Sequence, residues 1–183
     1  FDALDAVDAI RLSGTEASGW YIDSAVEALN DGRMLFAGKY SQPDYEMLIG
    51  EGCDLAIEST MILHTPKVGE MIELLGIPVF IDRSSYESHP LGRTEWIKLY
   101  AVLVGKVPEA QAFFATQEAI VEELRGYPNT EKTVAFFYVS SDGSVNVRRA
   151  GDYVPRMIEI AGGRYAFPQL GAELDTQRST VSL

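Results

Sequence analysis

The sequence contains few of the residues that build disulfides and metal clusters. Among 183 residues there is one cysteine, Cys53, and there are two histidines, His64 and His89. A single cysteine excludes an internal disulfide and any cysteine-based metal cluster, and neither histidine has a carboxylate at the spacing of metal ligands. We therefore expect Cys53 to be a small core residue and both histidines to be ordinary loop residues. No metal site is predicted.

Clustered positive charge and nucleotide-binding loops are also missing. The formal net charge is −12, and Arg148 and Arg149 form the single adjacent basic pair. Because neutralising phosphates requires grouped lysines and arginines, we expect no nucleic-acid partner. The sequence has no G-x-G-x-x-G turn, no P-loop and no G-x-S-x-G elbow, which excludes the simplest nucleotide-binding and serine-hydrolase interpretations.

Long apolar runs are absent as well, since none approaches the ~20 residues that span a bilayer. Apolar residues still make up 46% of the chain, which is enough for a hydrophobic core. They occur in short segments that alternate between strand-like and helix-like spacing, a pattern that predicts βαβ units and a parallel sheet. The expected fold class is therefore α/β, and ligands of such sheets bind beyond the carboxyl ends of the strands.

Local signals predict several helix starts. Pro43 is expected to open a helix, and Thr65 is expected to cap another helix whose first residue is Pro66. Asp152 is expected to cap a third helix, which the Gly162–Gly163 pair ends.

The later part of the chain carries strand signals. Residues 133–139 are β-branched and aromatic, which predicts one dense strand, and Asp142–Gly143 predicts a hairpin turn after it. The final residues, Thr180–Leu183, are expected to open a further helix.

A long helical connection is predicted over residues 91–126, because apolar residues such as Trp96 and Leu103 recur at helical spacing. The segment from Gly105 to Pro108 is the expected kink. This connection separates an N-terminal α/β lobe, residues 1–90, from the start of a C-terminal α/β lobe, residues 127–183.

Several motifs, in their order along the chain, resemble the substrate-binding proteins of ABC importers for iron-siderophore, haem and cobalamin. They are D-L-A-I-E-S-T at 54–60, L-G-I-P-V at 75–79, H-P-L-G-R-T-E-W-I at 89–97, G-K at 105–106 and M-I-E-I-A-G-G at 157–163. The resemblance implies the class III periplasmic-binding-protein fold, with two Rossmann-like lobes joined by a long helix. It also implies that the family's first strand lies upstream of Phe1 and that much of the second lobe lies beyond Leu183.

The same resemblance implies a function without catalysis. The expected protein is the extracytoplasmic component of an ABC importer, which binds a ferric siderophore, haem or a corrinoid between its lobes and delivers it to a membrane permease. No intrinsic cofactor is expected. The implied location is periplasmic or extracellular, with a lipoprotein anchor if the organism is Gram-positive.

Candidate site residues follow from this resemblance and from positions after strands. The expected ligand-binding residues are Tyr40, Thr60, Met61, Ser84, Tyr86, Arg93, Tyr138, Ser140 and Arg148. The expected permease-docking residues are Glu159, just before the Gly-Gly pair, and Glu70. Glu70 is the nearest acidic substitute, because Pro66 stands where the family's glutamate is best matched.

Two alternatives remain open at this point. The chain has the pattern of an α/β scaffold that also serves enzymes and nitrogenase-like cofactor modules. For Arg93, the alternative to binding an anion is a salt bridge with Glu87 or Glu95, and we expect the salt bridge.

Overall fold

The computed structural model describes residues 1–170 and the backbone of residues 180–182. The chain divides into two compact units. The first consists of Phe1–Arg83 and Tyr100–Val107, and the second of Ser84–Leu99 and Pro108–Leu183. The division at residues 90 and 126 expected from the sequence stays a prediction.

The first unit alternates short strands with helices, as the apolar spacing predicts. Its elements are β1 (Leu12–Ser13), α1 (Asp23–Asn30), β2 (Leu35–Phe36), β3 (Gly38–Lys39), β4 (Gln42–Pro43), α2 (Tyr45–Gly50), β5 (Ala56–Ser59), α3 (Pro66–Leu74) and β6 (Val79–Asp82). Strand β1 pairs in parallel with β2, and β5 with β6, while β3 and β4 form an antiparallel hairpin. The expected parallel pairing is therefore present in this unit.

A small core fixes helices α2 and α3 under strand β5. Leu48 and Ile72 are buried with Ala56 and Ile77, and Leu12 of β1 packs against this cluster. Because apolar residues from two helices and two strands bury one another here, this cluster sets the positions of the strand ends. Cys53 packs against the same cluster as a half-buried residue, as expected.

Two helix starts in this unit differ in detail from the predictions. Pro43 does not open a helix but lies in β4, and α2 begins after Asp44, whose carboxylate accepts a hydrogen bond from the Met47 amide at 3.0 Å. An aspartate side chain satisfies a free helix N–H group, which proline cannot do. Helix α3 does begin at Pro66 after Thr65, but the Thr65 hydroxyl donates to the Ile62 carbonyl instead of capping the helix.

The predicted helical connection consists of two consecutive helices, α4 (Pro90–Val104) and α5 (Val107–Arg125). The break lies within the predicted segment, at Gly105 and Lys106. Gly105 has a φ of 69°, a left-handed conformation that favours glycine, and the Lys106 amide donates to the Ala101 carbonyl at 2.8 Å.

In the described residues of the second unit, short strands and helix α6 follow helix α5. They are β7 (Thr133–Val134), β8 (Phe137–Val139), β9 (Val145–Arg148), α6 (Tyr153–Ile160), β10 (Arg164–Tyr165) and β11 (Thr180–Ser182). Strands β7 and β10 pair in parallel, whereas β9 lies between β8 and β11 in an antiparallel sheet. The hairpin predicted at Asp142–Gly143 joins β8 to β9, and Gly143 has a φ of 86°.

Two strand predictions in this unit were wrong. Residues 133–139 form two strands instead of one, because Thr133–Val134 pairs with β10 and Phe137–Val139 pairs with β9. Residues 180–182 are a strand and not the start of a helix, because they pair with residues 146–148 of β9. In both cases the pairing partner, distant in the sequence, decides the structure.

None of the helices in the described residues is both long and apolar enough to cross a membrane.

The Tyr100 hydroxyl ties helix α4 to the carboxyl end of β6. It donates to the Asp82 carboxylate at 2.5 Å, and the Tyr100 ring packs against Phe80 edge-on, with 6.4 Å between the ring centroids. Burial and the adjacent carboxylate both raise the pKa of Tyr100, because each disfavours the phenolate.

We expect the Tyr100→Phe substitution to lower the free energy of unfolding by about 1–2 kcal/mol, because it removes one charge-assisted hydrogen bond. Urea denaturation measures this loss. Because the pKa of Tyr100 is raised in the folded protein, the hydrogen bond stabilises the fold fully below about pH 10 and loses its effect as the pH rises further. The difference in free energy of unfolding between the wild type and Tyr100→Phe should therefore narrow above pH 10. Tyr127→Phe is the control, since its hydroxyl lies 3.4 Å from Glu123 on the surface, and equal losses in both variants would contradict the prediction.

Candidate functional site

In the first unit, a cavity of about 310 Å³ lies beside the carboxyl ends of β1 and β5. Polar and aromatic residues from two strands and the adjoining loops line it, among them Ser13, Thr15, Tyr40, Glu58 and Ser59. Of the ligand-binding residues predicted for this unit, Tyr40 therefore lies in the cavity wall. Thr60 and Met61 begin the 3-10 turn that follows β5, and Met61 is 46% exposed.

Ser13 organises the loop at one side of this cavity. It is 5% exposed, its hydroxyl donates to the Thr15 carbonyl at 2.8 Å, and it accepts from the Trp20 indole N–H at 3.2 Å. A buried hydroxyl with both donor and acceptor roles satisfied holds the loop in one conformation. Sequence analysis missed Ser13, although a serine directly after an apolar strand segment is a usable signal.

Glu58 is the second residue that sequence analysis missed. It lies in β5, lines the same cavity, and burial raises the pKa of its carboxyl group. The sequence contained a signal for this residue, namely an acidic side chain within a mainly apolar strand. Burying such a side chain costs free energy unless it has a partner or a functional role.

In the second unit, the predicted ligand residue Arg93 contacts both Tyr153 and Ser85. Its guanidinium lies over the ring of Tyr153, 4.0 Å from the centroid, and its Nη1 donates to the Ser85 carbonyl at 3.0 Å. The salt bridge expected with Glu87 or Glu95 does not form. Glu87 instead accepts from the Trp96 indole at 3.0 Å, and Glu95 pairs with Lys98 at 2.9 Å.

Ser84 and Tyr86 lie in the 3-10 turn that precedes α4. Tyr86 is 47% exposed. The Arg93 bond to Ser85 holds the middle residue of this turn, so Ser84, Tyr86 and Arg93 are brought together.

The remaining predicted ligand residues lie on or near the β8–β9 hairpin. Tyr138 is 51% exposed and pairs across the strands with Asn146, whose side-chain amide donates to the Ser140 hydroxyl at 2.6 Å. Arg148 ends β9, and its guanidinium lies 3.6 Å from the Asp152 carboxylate. The Tyr165 hydroxyl donates to the Arg148 carbonyl at 2.5 Å.

The amino end of α6 connects two groups of these residues. Asp152 caps the helix as predicted, accepting from the Val154 amide at 3.0 Å, and contacts Arg148, while the adjacent Tyr153 contacts Arg93. Arg93 and Arg148 therefore contact two consecutive residues, Tyr153 and Asp152, at the amino end of α6. A grouping of these residues with Tyr40, Thr60 and Met61 stays a prediction.

The two predicted docking residues lie on helices. Glu70 is exposed on α3. Glu159 on α6 pairs with Arg156 at 2.8 Å, and both line a shallow groove of about 260 Å³ together with Arg125 and Tyr127. Glu159 is thus one member of a surface ion pair.

The histidines are separate from these clusters. His64 ends the 3-10 turn after β5, and the Nδ1 of His89 accepts from the Leu91 amide at 3.1 Å at the start of α4. Within residues 1–170, no group of three or more histidine, cysteine or acidic side chains is arranged to hold a metal ion.

Solved structures similar to this chain define its fold. A Staphylococcus epidermidis protein described as a possible iron-binding, periplasmic solute-binding protein matches all of the chain with a TM-score of 0.70 and 15% identity. An ABC transporter substrate-binding protein from Listeria monocytogenes also matches all of it, with a TM-score of 0.65 and 14% identity. The periplasmic haem-binding protein HutB of Vibrio cholerae matches 90% of it, with a TM-score of 0.65 and 16% identity. The class III periplasmic-binding-protein fold expected from the sequence is confirmed.

One curated relative is similar in sequence over most of this chain. An uncharacterized lipoprotein of Methanocaldococcus jannaschii is 29% identical over 161 residues, which cover 82% of this chain and 37% of that protein. No family model matches the chain. The chain spans 61–65% of the length of the three solved structures.

Asp152 combines a helix cap with an ion pair, and two substitutions separate these roles. Asp152→Ala removes both and should lower the free energy of unfolding by about 1–2 kcal/mol. Asp152→Asn keeps a capping oxygen and removes the charge, so it should cost less than half as much. Urea denaturation compares them, and equal losses would show that the charge near Arg148, not the cap, stabilises this end of α6.

Proposed function

We propose that this chain is part of the extracytoplasmic solute-binding component of an ABC importer. It binds an iron chelate such as a ferric siderophore, haem or cobalamin, and it delivers this ligand to a membrane permease without catalysing a reaction. The observation that carries the proposal is the match of the whole described chain to substrate-binding proteins of this kind, at a TM-score of 0.70.

The residues of the second unit support a metal chelate as the ligand. Tyr86 and Tyr138 have half-exposed side chains, and Arg93 and Arg148 contact Tyr153 and Asp152, two neighbouring residues at the amino end of α6. Rings stack on the flat organic parts of chelates, and guanidinium groups bind their anionic oxygen atoms. The proposed ligand residues are those predicted from the sequence, including Tyr40, Thr60, Met61, Ser84 and Ser140.

The lipoprotein name of the archaeal relative and the periplasmic location of the solved structures support an extracytoplasmic location for this protein. Lipid anchoring is part of the proposal. The proposed partner is an ABC permease, and no cofactor other than the transported ligand is required.

The direct test is titration of the full-length protein with three probes, a ferric siderophore, hemin and cyanocobalamin. Each is coloured, so binding is read from its absorbance and from quenching of tryptophan fluorescence. One of the three should bind saturably, and at about 100 times its Kd it should add roughly 2.7 kcal/mol to the free energy of unfolding. Failure of all three, together with turnover of a nucleotide substrate, would overturn the proposal.

The proposed ligand residues of the second unit, which we call the binding face, are Ser84, Tyr86, Arg93, Tyr138, Ser140 and Arg148. Substitution of Tyr86 tests this face directly. Tyr86→Ala should weaken binding of the probe about tenfold, because an aromatic contact of this kind contributes about 1.4 kcal/mol. The melting temperature should change little, since the ring is 47% exposed. Tyr21→Ala is the control, because that ring is 98% exposed and lies outside the proposed face. Equal affinity in the two variants would remove Tyr86 from the site.

Glu159 tests the proposed docking to the permease. Glu159→Lys should slow association with the cognate permease and slow uptake, most clearly at low salt, because exposed charge pairs act on association rates and are screened by ions. Chelate affinity should stay unchanged. Glu122→Lys is a matched control, since Glu122 also pairs with an arginine three residues away, Arg125 at 2.7 Å. Uptake reduced equally by both variants would indicate a general charge effect.

A further inference from the structure

We propose that Tyr153 is a positioning residue of the ligand-binding face, which holds Arg93 as a positive charge with no acidic partner among the described residues and thereby fixes the Ser84–Tyr86 turn for an anionic chelate. This inference rests on the proposed function. It assigns a role to Tyr153, which lies outside the predicted set of ligand residues.

The first step is the geometry around the Arg93 guanidinium. One face of the group lies 4.0 Å from the centroid of the Tyr153 ring, and the Nη1 edge donates to the Ser85 carbonyl at 3.0 Å. A planar, delocalised cation can stack on a ring and donate hydrogen bonds from its edge at the same time. The stack therefore determines where the hydrogen bond to the turn is made.

The second step concerns charge. Among the described residues, no carboxylate forms an ion pair with Arg93, and the two nearest in sequence contact other groups, Glu87 the Trp96 indole and Glu95 the Lys98 ammonium. The two groups that hold Arg93, an aromatic ring and a backbone carbonyl, carry no net charge. The positive charge of Arg93 is thus positioned without being neutralised by the two groups that hold it.

The third step is the fit between the turn and α4. Trp96 holds Glu87 at 3.0 Å, and a Cβ atom at Gly92 would lie 3.1 Å from the Glu87 carboxylate, so the segment after the turn packs closely on the helix. Arg93 adds the bond to Ser85 and the contact with α6. The turn is therefore held by α4 and, through Arg93, by Tyr153 of α6.

The fourth step is the class of ligand. A fixed guanidinium next to an exposed tyrosine selects ligands that combine anionic oxygen atoms with a flat organic surface. Among iron chelates, this favours anionic catecholate or carboxylate complexes over neutral hydroxamate complexes.

The experiment compares Tyr153→Leu with Tyr153→Phe in the full-length protein. Phenylalanine keeps the ring face and leucine removes it, so only the leucine variant should release Arg93. Hydrogen exchange of the ligand-free protein should then rise about threefold or more in residues 84–89 of Tyr153→Leu and stay close to wild type in Tyr153→Phe. Tyr127→Leu, an exposed tyrosine of the same unit, is the control.

Binding is measured with two probes, ferric enterobactin as the anionic chelate and ferrichrome as the neutral one. Tyr153→Leu should weaken binding of the anionic chelate by about three- to tenfold relative to its effect on the neutral one, and Tyr153→Phe should restore it. Unchanged exchange in residues 84–89, or equal losses in the leucine and phenylalanine variants, would overturn the inference. If the wild-type protein bound no chelate of any class, the proposed function would fail, whereas the exchange measurement would still decide whether Tyr153 holds the turn.

Discussion

The parallel pairing of β5 with β6 is the constraint on which the candidate site of the first unit depends. Its register places Ser59 opposite Asp82, so both strands end at the same level. The Ser59 hydroxyl then caps the turn that carries Thr60 and Met61 by accepting a hydrogen bond from the Met61 amide. The Asp82 carboxylate accepts a hydrogen bond from the Tyr100 hydroxyl. Since β5 packs on the buried residues Leu48 and Ile72, the apolar core beneath the sheet fixes where these polar groups lie. Loss of packing there would displace the loops even though none of their own contacts had changed.

Sequence reasoning was most successful where a signal and its effect are close in the chain. The cap at Asp152, the start of α3 at Pro66 and the hairpin at Asp142–Gly143 each depend on a few neighbouring residues, and all lie where they were predicted. It failed for residues 133–139 and 180–182, because strand pairing with distant segments overrides local propensity. Pro43 was mispredicted for a local reason, since the adjacent Asp44 is the better capping residue.

The candidate site shows this limit more clearly. For Arg93, local reasoning considered the acidic residues within one or two helical turns, and the structure places a tyrosine from another helix against it. Glu58 was overlooked although its position in an apolar strand was a signal, whereas the cavity that it lines is visible only in the folded chain. Residue types near strand ends could be predicted from the sequence, whereas the partner of each side chain depends on which elements pack together.

The arginines of the second unit are arranged in a way that suits binding more than chemistry. Arg148 is held at its carbonyl by Tyr165 and at its guanidinium by Asp152, and Arg93 is held by Tyr153 and Ser85. Side chains ordered in advance lose little entropy when a ligand arrives, so a larger share of the contact energy appears as affinity. A general acid or base would instead need a titratable group beside a reacting atom, and guanidinium groups stay charged throughout the physiological range. The physical character of this face, with two ordered cations at the amino end of α6, is consistent with the proposed capture of an anionic ligand.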